Sequence, residues 1–136
     1  MEACEGGCLC GAIRFRVTPP AKWSNLCFCR DCCRATVAPT VAFARFPRAQ
    51  FALLVGNPAG FHSSATVTRS FCATCGTSLF VEGDHLAADI VIAVATLDDP
   101  EAFPVAMNVR TSERIPWMRA LPDLPDWSGD GYKPNL

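Results

Sequence analysis

The chain has 136 residues, half of them hydrophobic and 18% charged, which excludes a disordered chain and provides for one domain around one core. A net charge of −1 removes the electrostatic reason for a protein to bind phosphate backbones regardless of sequence, so nucleic acid is not expected as a partner. The nine cysteines are an odd number that cannot all pair internally, and their close spacing suits metal better than bridges, which points to a reduced, cytoplasmic setting.

No basic start with an apolar run stands in residues 1 to 30, and no stretch has the roughly 18 consecutive apolar residues of a spanning helix. The expectation is therefore a soluble protein with no membrane partner. Gly6-Gly7-Cys8-Leu9-Cys10-Gly11 reads as a tight turn. From Ala12 to Val17 the residues alternate, with Ile13, Phe15 and Val17 on one side and Arg14 and Arg16 on the other, which predicts a half-buried strand. Thr18-Pro19-Pro20 ends it, since proline cannot donate to a ladder. Lys22 to Leu26 carries the chain into a dense thiol run, Cys27-Phe28-Cys29-Arg30-Asp31-Cys32-Cys33-Arg34.

Beyond that run, Thr40 to Phe46 and Phe51 to Val55 predict strands, and Gly56-Asn57-Pro58-Ala59-Gly60 has the composition of a turn. Phe61 to Ser64 and Thr66 to Phe71 predict a hairpin that runs into a second cysteine turn, Cys72-Ala73-Thr74-Cys75-Gly76. Thr77 to Glu82 leaves as a strand, and Asp89 to Ala95, the most hydrophobic candidate, belongs at the centre of the sheet. In Leu97 to Phe103 an aspartate precedes Pro100, the pattern of one capped helical turn. Val105 to Arg110 alternates again, and Pro116-Trp117-Met118 predicts a turn that packs the indole inward. Seven or so short strands with few helical turns give a mainly β domain over residues 1 to 127, with 128 to 136 as a loose surface tail.

Seven cysteines lie in motif positions: Cys8, Cys10, Cys27, Cys29, Cys32, Cys72 and Cys75. Structural zinc takes four protein ligands and catalytic zinc three plus an open position, so seven divides naturally into one closed and one open site. Spacing alone allows two partitions. One joins Cys29 and Cys32 with Cys72 and Cys75 as a zinc ribbon and leaves Cys8, Cys10 and Cys27 without a role. The other joins Cys8 and Cys10 with Cys72 and Cys75 and leaves Cys27, Cys29 and Cys32 as a trio. Three ligands within six residues wrap one face of an ion and leave the other for a visitor, which favours the second partition.

Five elements in order then carry a resemblance: Gly7-Cys8-Leu9-Cys10-Gly11, Cys27-Phe28-Cys29-Arg30-Asp31-Cys32, Phe71-Cys72-Ala73-Thr74-Cys75-Gly76, Thr96-Leu97-Asp98-Asp99-Pro100 and Arg114-Ile115-Pro116-Trp117. From about Gly7 to Trp127 the chain resembles the glutathione-dependent formaldehyde-activating enzymes, a family that includes the centromere protein V group. The resemblance implies an Mss4-like β-sheet fold, a structural zinc in the outer turns, and a second, labile and catalytic zinc in the middle run. It also implies carbon–sulfur lyase chemistry on an adduct of glutathione with a small aldehyde. Three positions depart from the family pattern: Phe28 stands where histidine is usual, Cys33 where arginine is usual, and Val37 where a glycine is typical.

A zinc with an open position can bind a thiol as thiolate or polarise a carbonyl. Three thiolates make it electron-rich, which suits thiolate capture and release better than strong water activation. Arg30 and Arg34, with Lys22, lie near the run and are candidates for the carboxylates of glutathione. The plainer reading makes both sites structural, the second closed by Cys33 or a residue from elsewhere, in a non-catalytic zinc module that binds glutathione or a protein partner. Cys4 reads as a surface thiol, His62 and His85 as solvent or packing residues, Asp98 and Asp99 as turn caps, and the three tryptophans as core or lid aromatics. Redox sensing through the adjacent Cys32 and Cys33 is a third reading.

Overall fold

The computed structural model describes residues 2–129. In chain order the elements are β1 (Cys4–Gly7), β2 (Arg14–Val17), β3 (Trp23–Cys27), α1 (Arg30–Thr36), β4 (Val41–Pro47), β5 (Phe51–Val55), β6 (Ala59–His62), β7 (Val67–Phe71), β8 (Ser78–Gly83), β9 (Asp89–Ala93) and β10 (Met107–Val109). Short 3-10 segments lie in the β4–β5, β8–β9 and β9–β10 connections and after β10. The strands form a three-stranded sheet, β1-β2-β5, and a seven-stranded sheet, β10-β3-β4-β9-β8-β7-β6. Every pairing is antiparallel except that of β10 with β3. The fold is mainly β, as expected from the turn-punctuated sequence.

Alternation along the strands explains how the two sheets meet. Phe15 and Val17 of β2 point into the main core, where they join Ala44 and Phe46 of β4, Phe80 of β8, and Ile90 and Ile92 of β9. An edge-to-face contact of 5.1 Å between Phe15 and Phe80 joins the sheets. Their outward neighbours Arg14 and Arg16 pair with Asp98 and Glu5. Strand β9 lies fourth of seven, as its hydrophobicity predicts, and all five of its residues are buried. Both faces of that strand are covered, so Val91 and Ala93 turn to a second cluster with Cys27, Cys32, Phe43 and Leu86. This opposite face carries the thiol run.

Four departures from the sequence reading have physical causes. Cys4-Glu5-Gly6-Gly7 is a strand; a Cβ on Gly6 would lie 2.5 Å from the Thr96 carbonyl oxygen, so glycine permits the close approach that its composition disguised. Trp23 to Cys27 is an inner strand whose polar Ser24 and Asn25 are buried. Residues 59 and 60 belong to β6 rather than to the turn before it. In the 3-10 segment Pro116–Asp123, Met118 turns inward and Trp117 stays 55% exposed, which reverses the expected inward indole. The proposed tail falls mostly on residues 130 to 136, which lie outside the described residues. Among the described residues no helix is long and apolar enough to cross a membrane.

Candidate functional site

Two turns bring the outer four cysteines together. Cys8 to Gly11 links β1 to β2, and Cys72 to Gly76 links β7 to β8; in each, the glycine after the second cysteine has φ +79°, the left-handed conformation that glycine adopts freely. All four Sγ atoms lie within 4.8 Å of one another. Cys8 is 3.6 Å from Cys10, and Cys10 is 3.8 Å from Cys72. Tetrahedral zinc with bonds of about 2.3 Å would set sulfurs about 3.8 Å apart, so the donor set fits that ion. Backbone N–H groups of Ile13 and Cys75 donate to the Cys8 and Cys72 sulfurs at 3.2 and 3.5 Å, fixing the orientation of both.

Charge in this knot also calls for a cation. The Thr77 hydroxyl and backbone, with the Cys10 backbone, hold the Cys75 thiol down at about 5. At Cys10 the Ala12 amide lowers the thiol, but the sulfurs of Cys8, Cys75 and Cys72, with burial, push it up to about 11. Four crowded thiolates repel one another, and a divalent ion removes that conflict.

The middle run folds differently. Cys27 ends β3, and Cys29 is the N-cap of α1 (φ −62°, ψ 141°), its sulfur accepting the Cys32 N–H at 3.2 Å. One turn into the helix, Cys32 comes back over the cap, so that Cys27, Cys29 and Cys32 have all three Sγ atoms within 4.8 Å. The thiol of Cys32 holds Cys27 below its usual range, while the Cys27 neighbour and burial push Cys32 well up, as expected for sulfurs sharing one negative charge. Among the described residues no fourth His, Cys, Asp or Glu joins this group. Three thiolates on one side fit a zinc ion with a free position. The two clusters follow the partition that joins the outer turns, not the ribbon.

Cys33 does not close the trio. Its thiol donates to the Pro39 carbonyl at 3.3 Å and stays buried under the helix. Cys4 lies on β1 with its thiol directed at the Glu2 carbonyl, and the His62 ring pairs with the Thr68 hydroxyl. Neither belongs to a metal group, nor does the exposed His85. Asp99 caps its 3-10 turn by accepting the Glu101 N–H, as the sequence predicts.

One residue of the site escapes the sequence. Arg69, from β7, donates through Nη1 to the Cys32 sulfur at 3.5 Å and through Nε to the Ser63 hydroxyl at 3.1 Å. Register explains the reach: Phe61, Arg69, Val81, Val91, Arg45 and Trp23 are successive cross-strand partners, so they form one row over the face that holds the trio. A lone arginine in a strand of Val, Thr, Ser and Phe is the only sequence signal for it. Arg69 also lines a groove of about 610 Å³ beside α1, with Arg34 and Asp31 from the helix and Phe61, Phe71 and Ser70 from the hairpin. Arg34 shares a shallower groove with Arg30, Val37, Pro39 and Ile115. Over the start of the helix, Glu113 accepts from the Arg30 N–H at 3.4 Å and from Arg110 Nε at 2.7 Å.

Among solved structures the chain is similar to a crystal structure of a Rhodobacter sphaeroides protein, with 20% identity and a TM-score of 0.63. The match covers 77% of this chain and 99% of the other, and it establishes the shared fold. No curated protein matches. The sequence profile of one family, described as glutathione-dependent formaldehyde-activating enzyme, matches residues 3–113. With most of its length and both cysteine clusters inside that match, the chain belongs to the glutathione-dependent formaldehyde-activating enzyme family.

Proposed function

We propose that the chain is a zinc-dependent carbon–sulfur lyase acting on an adduct of glutathione with a small aldehyde, or on a related thiol adduct, in a reducing compartment such as the cytoplasm. The observation that carries the proposal is the three-sulfur group of Cys27, Cys29 and Cys32, beside a groove and with no fourth side-chain ligand among the described residues. Cys27, Cys29 and Cys32 would hold the zinc ion, which would supply a coordination position for the substrate sulfur. The chain's own residues set the surroundings. Arg69 donates to the Cys32 sulfur and withdraws electron density from it, while Ser63 fixes the guanidinium. Arg34 and Arg30 are assigned to the carboxylates of glutathione; both lie on grooves flanking α1. In the outer turns, Cys8, Cys10, Cys72 and Cys75 are assigned to the structural zinc.

The test is an assay of formaldehyde consumption with glutathione, using zinc-loaded protein. Acceleration above the spontaneous reaction, lost in Cys29→Ser, supports the lyase. A second reading, a zinc module that binds glutathione or a protein without turnover, has one observation in its favour: Phe28, where the family usually has histidine, is buried beside the trio and provides no proton-transfer group. Saturable glutathione binding without acceleration would support that reading.

A further inference from the structure

The groove of about 610 Å³ has a lining that a wholly polar ligand would leave unmatched. Phe61 presents a ring that is 62% exposed on edge strand β6, directly opposite Arg69 in the sheet. Phe71 and Ala35 add apolar surface, and two guanidinium groups, Arg34 and Arg69, face one carboxylate, Asp31. The Arg34 side chain makes no hydrogen bond or ion pair among the described residues, and the Arg69 side chain uses only Nε and Nη1 on protein partners. A planar fork with open donors beside an aromatic ring is suited to a carboxylate attached to an apolar body. Arg69 also touches the Cys32 sulfur, so a carboxylate held there lies within a short reach of the trio.

Building on the lyase reading, which supplies the sulfur-binding position, we infer that this groove selects an adduct whose organic body carries both a carboxylate and an aryl group. Arg69 and Arg34 bind the carboxylate, and the ring packs on Phe61 and Phe71. Glutathione, polar along its length, provides no such ring, so the aryl group comes either from the thiol or from the aldehyde. The family's one-carbon aldehyde would leave Phe61 in water.

Binding to the zinc-loaded full chain tests this by calorimetry. 2-Mercapto-3-phenylpropanoate should bind about tenfold more tightly than mercaptoacetate, as expected for burial of one ring. Phe61→Ala, at an exposed strand position that leaves the fold intact, should cut that advantage to less than about threefold. Arg69→Gln should weaken 2-mercapto-3-phenylpropanoate more than 2-phenylethanethiol, which lacks the carboxylate, and Arg69→Lys should restore part of the loss. Tighter uptake of mercaptoacetate with benzaldehyde than with formaldehyde would assign the ring to the aldehyde; preference for the aryl thiol alone assigns it to the thiol. Equal affinity of the aryl thiol and mercaptoacetate together with equal uptake of benzaldehyde and formaldehyde, or an aryl preference unchanged in Phe61→Ala, overturns the inference. A metal-independent readout separates it from the lyase reading. If 3-phenylpropanoate, which has no thiol, shifts the NMR signals of Phe61 and Arg69 while no thiol binds the trio, the groove assignment is supported and the metal reading fails.

Discussion

Arg114 lies over the face of Phe28, its guanidinium carbon 4.4 Å from the ring centroid. Phe28 is 4% exposed, and the buried Nε of Arg114 has no hydrogen-bond partner among the described residues, so the ring's π face is the guanidinium's main compensation for lost water. Phe28→Leu, which keeps an apolar side chain but removes that face, should destabilise the protein by about 1 to 2 kcal/mol in urea titration. In an Arg114→Met background the same change should cost clearly less. A double-mutant cycle reads the coupling directly, and equal costs in both backgrounds would disprove it.

Metal loss should separate the two clusters. Cys72→Ser removes a ligand from the knot that ties the β1–β2 turn to the β7–β8 turn, and its chains should unfold at much lower denaturant than the parent protein. Cys29→Ser should retain the circular dichroism of the parent while zinc falls from about two equivalents to about one. Both are read by elemental analysis and denaturant titration. Retention of two zincs in Cys29→Ser would exclude the trio as a metal site.

Val37 is the C-cap of α1 in the left-handed region, with φ 54° and ψ 43°, and its side chain is 92% exposed. A β-branched residue gains no packing there and is strained by its own Cβ, at a position where the family typically has glycine. Val37→Gly should raise stability by about 1 kcal/mol, visible as a higher urea midpoint with an unchanged slope.

Asp89 is buried at the start of β9, accepting from Lys22 Nζ at 2.8 Å and from Arg45 Nε at 2.6 Å. The Lys22 hydrogen bond, then that of Arg45 and the charges of both, hold its carboxyl below the usual 3.8 against the upward push of burial. A depressed folded value means that the stabilisation is fully present above 3.8 and disappears as pH falls through the folded value. Asp89→Asn should therefore be less stable than the parent at neutral pH, with the gap narrowing below pH 3.8. Paired urea titrations measure it; a gap independent of pH would refute the assignment.

Where the local signal is strong, sequence and structure agree: alternation places β2, the composition of a hairpin places β7, and an unbroken apolar run places β9. The cysteine partition was legible too, because three ligands so close together cannot encircle an ion. Elements hidden from the sequence are those whose neighbours override local pattern. β1 holds two glycines, and β3 buries Ser24 by donating its hydroxyl to the Pro104 carbonyl, a partner 80 residues away. α1 has seven residues, too few for a helical period, and rests on Cys29 as cap and on Ser78, which donates to the Ala35 carbonyl. Arg69 was invisible for the same reason, since strand register, not chain proximity, brings it to Cys32.

On the ribosome, the leading sulfurs appear well before their counterparts. Cys10 precedes Cys72 by 62 residues, roughly 3 to 12 seconds of elongation at cellular speeds. During that interval the pair at positions 8 and 10 has nothing to close around, and it is open to oxidants or to any soft ion nearby. The nascent polypeptide therefore depends, as the finished protein does, on the redox state of its surroundings.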